Sequence, residues 1–120
     1  MIVEGQVHGG MVQGAGQAIG ECAVFDASSG QLLNGSFMDY AIPRADQFPN
    51  FSVGSLNVKT KGNPLGVKAG GEAGTVPALA LIGNAVMDAP SPFKIRHFDM
   101  PFSASNIWGA IQDAKKDLAV

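Results

Sequence analysis

The chain has 120 residues, 46% hydrophobic and 15% charged, a composition that excludes a disordered polypeptide and fits a single domain. The net charge of −2, with no basic run beyond Lys115-Lys116, gives no electrostatic basis for binding nucleic acid. A single cysteine, Cys22, rules out an intrachain disulfide, and no apolar stretch approaches the ~18 residues that a membrane span needs.

Other global features narrow the class. The N-terminal residues, Met1 to His8, lack a basic region followed by an apolar run, so no signal peptide is expected and the expected location is cytoplasmic. The 16 glycines and the low charge suit a packed piece of a larger protein better than a solvated small domain.

In chain order, Gly5 to Cys22 has helical spacing, with Val7, Met11, Ala15, Ala18 and Cys22 on one stripe. Gly9, Gly10, Gly14, Gly16 and Gly20 each weaken that helix by roughly 1 kcal/mol relative to alanine, so tertiary contact must stabilise it. Residues 22–26 and 31–37 flank Ala27-Ser-Ser-Gly30 and read as a β-hairpin. Residues 38–50, with Pro43 and Pro49, read as irregular, and Phe51 to Val58 alternates as a strand does. Thr60 to Gly74 reads as loop.

Thr75 then suits an N-cap, Pro77 fits a first helical turn, and Leu79, Ile82 and Val86 mark a buried face ending near Pro90. A short strand is expected over 93–98. Ser103 is positioned to cap a last helix with Ile107, Ile111, Ala114 and Leu118 on one face, and Lys115 and Lys116 favour its dipole. Helix, hairpin, strand and two C-terminal helices make an α+β class.

Residues 66–75, Gly-Val-Lys-Ala-Gly-Gly-Glu-Ala-Gly-Thr, carry the most chemical information. Glu72 is the one carboxylate among four glycines, just before the expected helix. It reads either as a general base facing a bound group or as a solvated turn acid. Gln6 reads either as an amide at a helix start that receives an anionic group or as a polar residue of the first turn. His8, His97 and Cys22 lack metal-ligand spacing. Neither a P-loop ending nor a Gly-x-Ser-x-Gly elbow occurs, and Ile19 stands where a dinucleotide fold needs its third glycine.

Several stretches together resemble the molybdenum hydroxylases, the family of xanthine dehydrogenase, aldehyde oxidoreductase and aerobic carbon monoxide dehydrogenase. Residues 5–21, Gly-Gln-Val-His-Gly-Gly-Met-Val-Gln-Gly-Ala-Gly-Gln-Ala-Ile-Gly-Glu, resemble its Gly-Gln-x-x-Gly-Gly-x-x-Gln-Gly-x-Gly motif. Ser36 to Pro43 resembles the Asp-Tyr-x-x-Pro segment, and Asn63 to Gly74 the Lys-Gly-x-Gly-Glu active-site loop. Ala85 to Ala89 and Ile107-Trp108 fit the remaining pattern.

The resemblance implies a C-terminal part of the large, molybdopterin-binding subunit across residues 1–120, not a complete domain. It implies that Glu72 is the base beside molybdenum, and that Gln6, Gly9, Gly10, Lys68, Gly70 and Gly71 contact the cofactor. The implied cofactor is molybdenum–molybdopterin, with the cytosine dinucleotide form common in bacterial relatives. The implied partners are the remainder of the large subunit, iron–sulfur and FAD subunits or domains, and a small-molecule substrate, an aldehyde or N-heterocycle. Ala69 departs from the family's glycine after the loop lysine, and a left-handed backbone there would misplace Glu72. A second reading is an inert fragment that self-associates into a homo-oligomer through apolar faces.

Overall fold

The computed structural model of the chain describes residues 1–118. It comprises α1 (Ile2–Ile19), a short 3₁₀ turn (Ala45–Gln47), α2 (Thr75–Asp88), a second 3₁₀ turn (Ser91–Phe93) and α3 (Ala104–Leu118). Helix α1 packs on α2, and the segments between them run over the surface.

The packing of α1 explains why a glycine-rich sequence is helical here. Its buried residues are Gly10, Gly14, Ala15, Gly16 and Ala18, so the small residues themselves form the contact face. A Cβ on Gly10 would stand 2.7 Å from the Thr75 amide nitrogen, and one on Gly14 would collide with the Ala78 side chain. A Cβ on Gly74 would run into the Val7 carbonyl oxygen. At Gly10, Gly14 and Gly74 the α1 backbone comes directly against α2 and its N-cap, with only the small Ala78 and Thr75 side chains at the crossing. The contact recovers stability that the glycines cost locally. The expected stripe is corrected accordingly: Val7 and Met11 are half-buried at the border of the contact, and Cys22 is exposed beyond the helix end.

The start of α1 is corrected too. The helix begins at Ile2, and the Gly5 amide already donates to the Met1 carbonyl at 2.9 Å. Gly5 and Gln6 therefore do not present the free amide groups of a helix start.

The expected strands do not form among the described residues. The hairpin reduces to one antiparallel bridge, Phe25–Leu32. The Asp26 amide donates to the Gln31 carbonyl and the Leu33 amide to the Val24 carbonyl, both at 2.8 Å. Beyond these bonds the Asn34 side chain replaces the ladder: its Oδ1 accepts from the Val24 amide and its Nδ2 donates to the Cys22 carbonyl. A side chain occupying backbone partners ends strand pairing.

Residues 51–58 form no regular secondary structure and pair with no strand, and Leu56 is 93% exposed. Residues 93–98 are diverted by the 3₁₀ turn and by Lys94, whose φ of 61° lies in the left-handed region. The α+β expectation thus holds for its helices and not for its strands.

The apolar core is small: Ala15, Ala18, Ala78 and Phe102. Phe102 donates its amide to the Ala18 carbonyl at 2.7 Å, and its ring meets Phe98 edge-on with centroids 5.2 Å apart. Ser103 caps α3 as expected, its hydroxyl accepting from the Asn106 amide at 3.2 Å. Ile107, Ile111 and Ala114 are half-buried on one face, while the Leu118 side chain lies outside the described residues.

Candidate functional site

The glycine-rich loop is fixed at both ends. At its start Asn63 clamps Val67, with Nδ2 donating to the Val67 carbonyl at 3.0 Å and Oδ1 accepting from the Val67 amide at 3.1 Å. Gly66 needs to be glycine, because its φ is +69° and a Cβ would stand 2.9 Å from that of Lys59. At its end the Glu72 carbonyl accepts from the amides of Thr75 and Val76, both at 3.1 Å. This leads the chain into α2 and leaves Pro77, which has no amide hydrogen, in the first turn.

Gly74 rather than Thr75 occupies the N-cap, without a side-chain cap. The Thr75 hydroxyl is used elsewhere: it donates to Gln13 Oε1 of α1 at 3.4 Å. This correction has a physical cause, since only a residue without a Cβ fits between α2 and the Val7 carbonyl.

Ala69 does not distort the loop. Lys94 is the only non-glycine residue with positive φ among those described, so the methyl of Ala69 meets no left-handed strain. Glu72 is exposed beside an open hollow of about 580 Å³ lined by Ala69, Gly71, Glu72, Ala73, Val76 and Pro77.

Helix α1 brings the second motif alongside the loop, next to Gly71, but does not itself line the hollow. The Gln6 side-chain nitrogen lies 3.9 Å from where a Cβ of Gly71 would be. Gly9, one turn along, faces open space, as does Gly70 in the loop. Gly10 is buried against Gly74 and Thr75. Lys68 is exposed on the approach to the turn. The two glycine-rich stretches, more than fifty residues apart in sequence, thus meet at Gln6 and Gly71 and again at Gly10 and Thr75.

The segment Ser36 to Pro43 lies over the other end of α1. Pro43 packs on Gly16, and the Tyr40 hydroxyl donates to Glu21 Oε2 at 3.1 Å. Burial, with the Glu21 carboxylate beside it, raises the Tyr40 pKa above its ordinary value. The histidines are engaged elsewhere: the His8 ring meets Phe51 edge-on, and His97 Nε2 lies 3.2 Å from Asp99 Oδ1. Among the described residues no three His, Cys, Asp or Glu side chains gather at a metal-binding distance.

Gln13, Gly74 and Thr75 join α1 to the loop; in the sequence Gln13 and Gly74 fall within the glycine-rich motifs and Thr75 at an expected cap, with no contact assigned to any of them. The available signal was the spacing of Gln6, Gly10 and Gln13 at i, i+4 and i+7, which places them on one helix face.

Residues 1–49 match the family model described as a molybdopterin cofactor-binding domain. The carbon monoxide dehydrogenase large chain of Hydrogenophaga pseudoflava is 33% identical over 113 residues, covering 94% of this chain and 14% of its own length. The chain belongs to the molybdenum hydroxylase family.

The nicotine 6-hydroxylase large subunit of Paenarthrobacter nicotinovorans, a relative at 38% identity over 106 residues, aligns with 88% of the chain and 13% of itself. The solved carbon monoxide dehydrogenase from Oligotropha carboxidovorans superposes with a TM-score of 0.88 at 32% identity, over 98% of this chain and 14% of that one. This chain therefore spans about a seventh of the length of these molybdenum hydroxylase chains. The superposition extends through the irregular segments, so their course is that of a known molybdenum hydroxylase segment. No helix among the described residues is long and apolar enough to cross a membrane.

Proposed function

We propose that this chain acts as the C-terminal part of the large subunit of a molybdenum-dependent hydroxylase or dehydrogenase, contributing the active-site base and part of the cofactor cradle. The observation that carries the reading is the approach of the Gln6 amide to Gly71, the residue before Glu72, which lines an open hollow. The residues present fit a pterin–molybdenum group. An uncommitted amide, an exposed carboxylate and two glycines with empty space on their open sides suit a large polar ligand that must lie against backbone.

When bound, the cofactor supplies the two-electron redox chemistry. Gln6 offers the pterin one donor and one acceptor from the same amide. Gly9 and Gly70 let the group lie against backbone without a Cβ in the way. Gly71 leaves the Gln6 amide room to turn. Lys68 brings a positive charge to the anionic side of the ligand. Glu72 accepts a proton at a carboxylate oxygen from the oxygen that attacks substrate carbon. It can do so because the backbone behind it is fixed by the Thr75 and Val76 amides while its side chain remains free to reach.

The substrate in this reading is an aldehyde or an N-heterocycle, and the electrons leave through iron–sulfur and FAD partners. Relatives that hydroxylate nicotine or oxidise carbon monoxide support the class without fixing its member. The cytosine dinucleotide form of the cofactor belongs to the same proposal. The test is Glu72→Gln in the complete enzyme that carries this chain. Turnover is expected to fall by a factor on the order of 10² or more while molybdenum stays bound. Unchanged turnover would remove Glu72 as the base.

A second reading concerns the chain in isolation. Phe37, Met38, Leu56 and Leu65 are 78–93% exposed, which supports an inert, self-associating polypeptide when the rest of the subunit is absent.

A further inference from the structure

Gln6, Gly10 and Gln13 form one stripe of α1 that meets the turn carrying Glu72, Gln6 at Gly71 and the other two at Thr75. The stripe is about 10 Å long, since seven residues make two helical turns. At its upstream end the Gln6 amide lies beside Gly71. At its middle, Gly10 has no side chain and Thr75 sits directly on it, with both the Thr75 amide nitrogen and Oγ1 within 2.8 Å of the missing Cβ. At its downstream end Gln13 Oε1 accepts the Thr75 hydroxyl hydrogen at 3.4 Å. Glu72 lies between the first and last of these contacts.

The backbone bonds of the turn transmit whatever holds Thr75. The Thr75 amide donates to the Glu72 carbonyl, so rotating the first residue of α2 rotates the peptide of Glu72. Gly74 and Gly10 bring the backbones into close contact but contribute no polar side chain to hold the Thr75 hydroxyl. The Gln13–Thr75 bond is the one side-chain hydrogen bond between α1 and α2 among the described residues.

We infer that Gln13 and Thr75 are a positioning pair, which sets the orientation of the Glu72 turn against α1 and so the aim of its carboxylate. Neither residue touches the hollow's reacting side; they act through the backbone of the turn. The inference rests on Glu72 as the proton acceptor for its catalytic consequence, but its structural half stands separately.

The test uses the complete enzyme with Thr75→Val, Thr75→Ser, Gln13→Met and the Thr75→Val/Gln13→Met pair, alongside Glu72→Gln. Hydrogen exchange is read first, over residues 70–76. Thr75→Val and Gln13→Met should each speed exchange there by roughly three- to tenfold, as the loss of one net hydrogen bond allows. Thr75→Ser, which keeps the hydroxyl, should restore protection, and the double variant should be no worse than either single one. Equal protection in all variants overturns the pair.

Turnover is read second. Thr75→Val and Gln13→Met should lower kcat by about tenfold with KM within about twofold, since misplacing a reacting group costs rate rather than binding. Altered exchange with unaltered kcat, where Glu72→Gln is inactive, overturns the positioning role. If Glu72→Gln retains full turnover, the base assignment fails while the exchange experiment still decides the pair.

Discussion

At the scale of single residues, Asp26 shows how local hydrogen bonding governs a turn. Its Oδ1 accepts from the hydroxyls of Ser28 at 2.6 Å and Ser29 at 2.8 Å, and from both of their amides. These donors, Ser28's hydroxyl foremost, hold the Asp26 carboxyl well below the usual carboxylate range. A depressed folded pKa stabilises the turn above the ordinary value of about 4, and that contribution is lost as pH falls through the folded value. The Ser28 and Ser29 amide resonances should therefore stay unmoved from neutrality down to about pH 4 and titrate only below it. A midpoint at or above 4 would contradict the hydrogen-bond assignment. Glu72 drew attention in the sequence because a lone acid among glycines stands out, and the structure places it exposed at the edge of an open hollow. Thr75 was misread, because sequence chemistry favours threonine as a cap whereas the close approach of α1 leaves room only for Gly74.

At the scale of elements, neighbouring glycines of α1 have opposite roles. Gly9 faces open space, while a Cβ on Gly10 would press on the Thr75 backbone at 2.7 Å. Gly9→Ala should stabilise α1 by up to about 1 kcal/mol through helix propensity alone. Gly10→Ala should instead cost ~1–3 kcal/mol, because backbone and not a flexible side chain must give way. Thermal melts followed by circular dichroism would separate them, and equal shifts would contradict the close crossing. Helix positions were readable from Ser103, Pro77 and the Ile107–Ile111 spacing. The contact face was legible in part: Ala15 and Ala18 of the expected stripe are buried, but apolar periodicity also points to Val7 and Met11, whereas the glycines Gly10, Gly14 and Gly16 complete the contact. The strands failed for a related reason. Alternation over 51–58 signals two-sided surroundings, but a ladder needs a partner strand, and none lies beside it among the described residues. At 22–37 the Asn34 side chain takes the next backbone partners.

At the scale of the whole molecule, the chain is far from a self-contained globule. Its radius of gyration is 18.8 Å, against roughly 14 Å for a compact chain of this length. Its accessible surface is 9211 Å², against roughly 6,100 Å² for a compact monomer of its mass. The surplus includes Val24, Phe25, Phe37, Met38, Leu56 and Trp108, all at least 45% exposed. Produced alone, the chain should associate: light scattering should give a mass well above 12.4 kDa, and an environment-sensitive dye should bind. A clean monomer that binds no dye would contradict this. The buried apolar core comprises only Ala15, Ala18, Ala78 and Phe102 among the described residues.

The central claim is that the Gln6 face of α1 and the Glu72 turn together form one side of a molybdenum site. Anomalous diffraction at the molybdenum edge, on crystals of the complete enzyme, tests it most directly. The account predicts a single strong peak over the hollow beside Gln6, with the Glu72 carboxylate within roughly 5 Å, the reach of one hydrogen bond or one intervening water. A peak far from that hollow, with Glu72 turned to solvent, would contradict it.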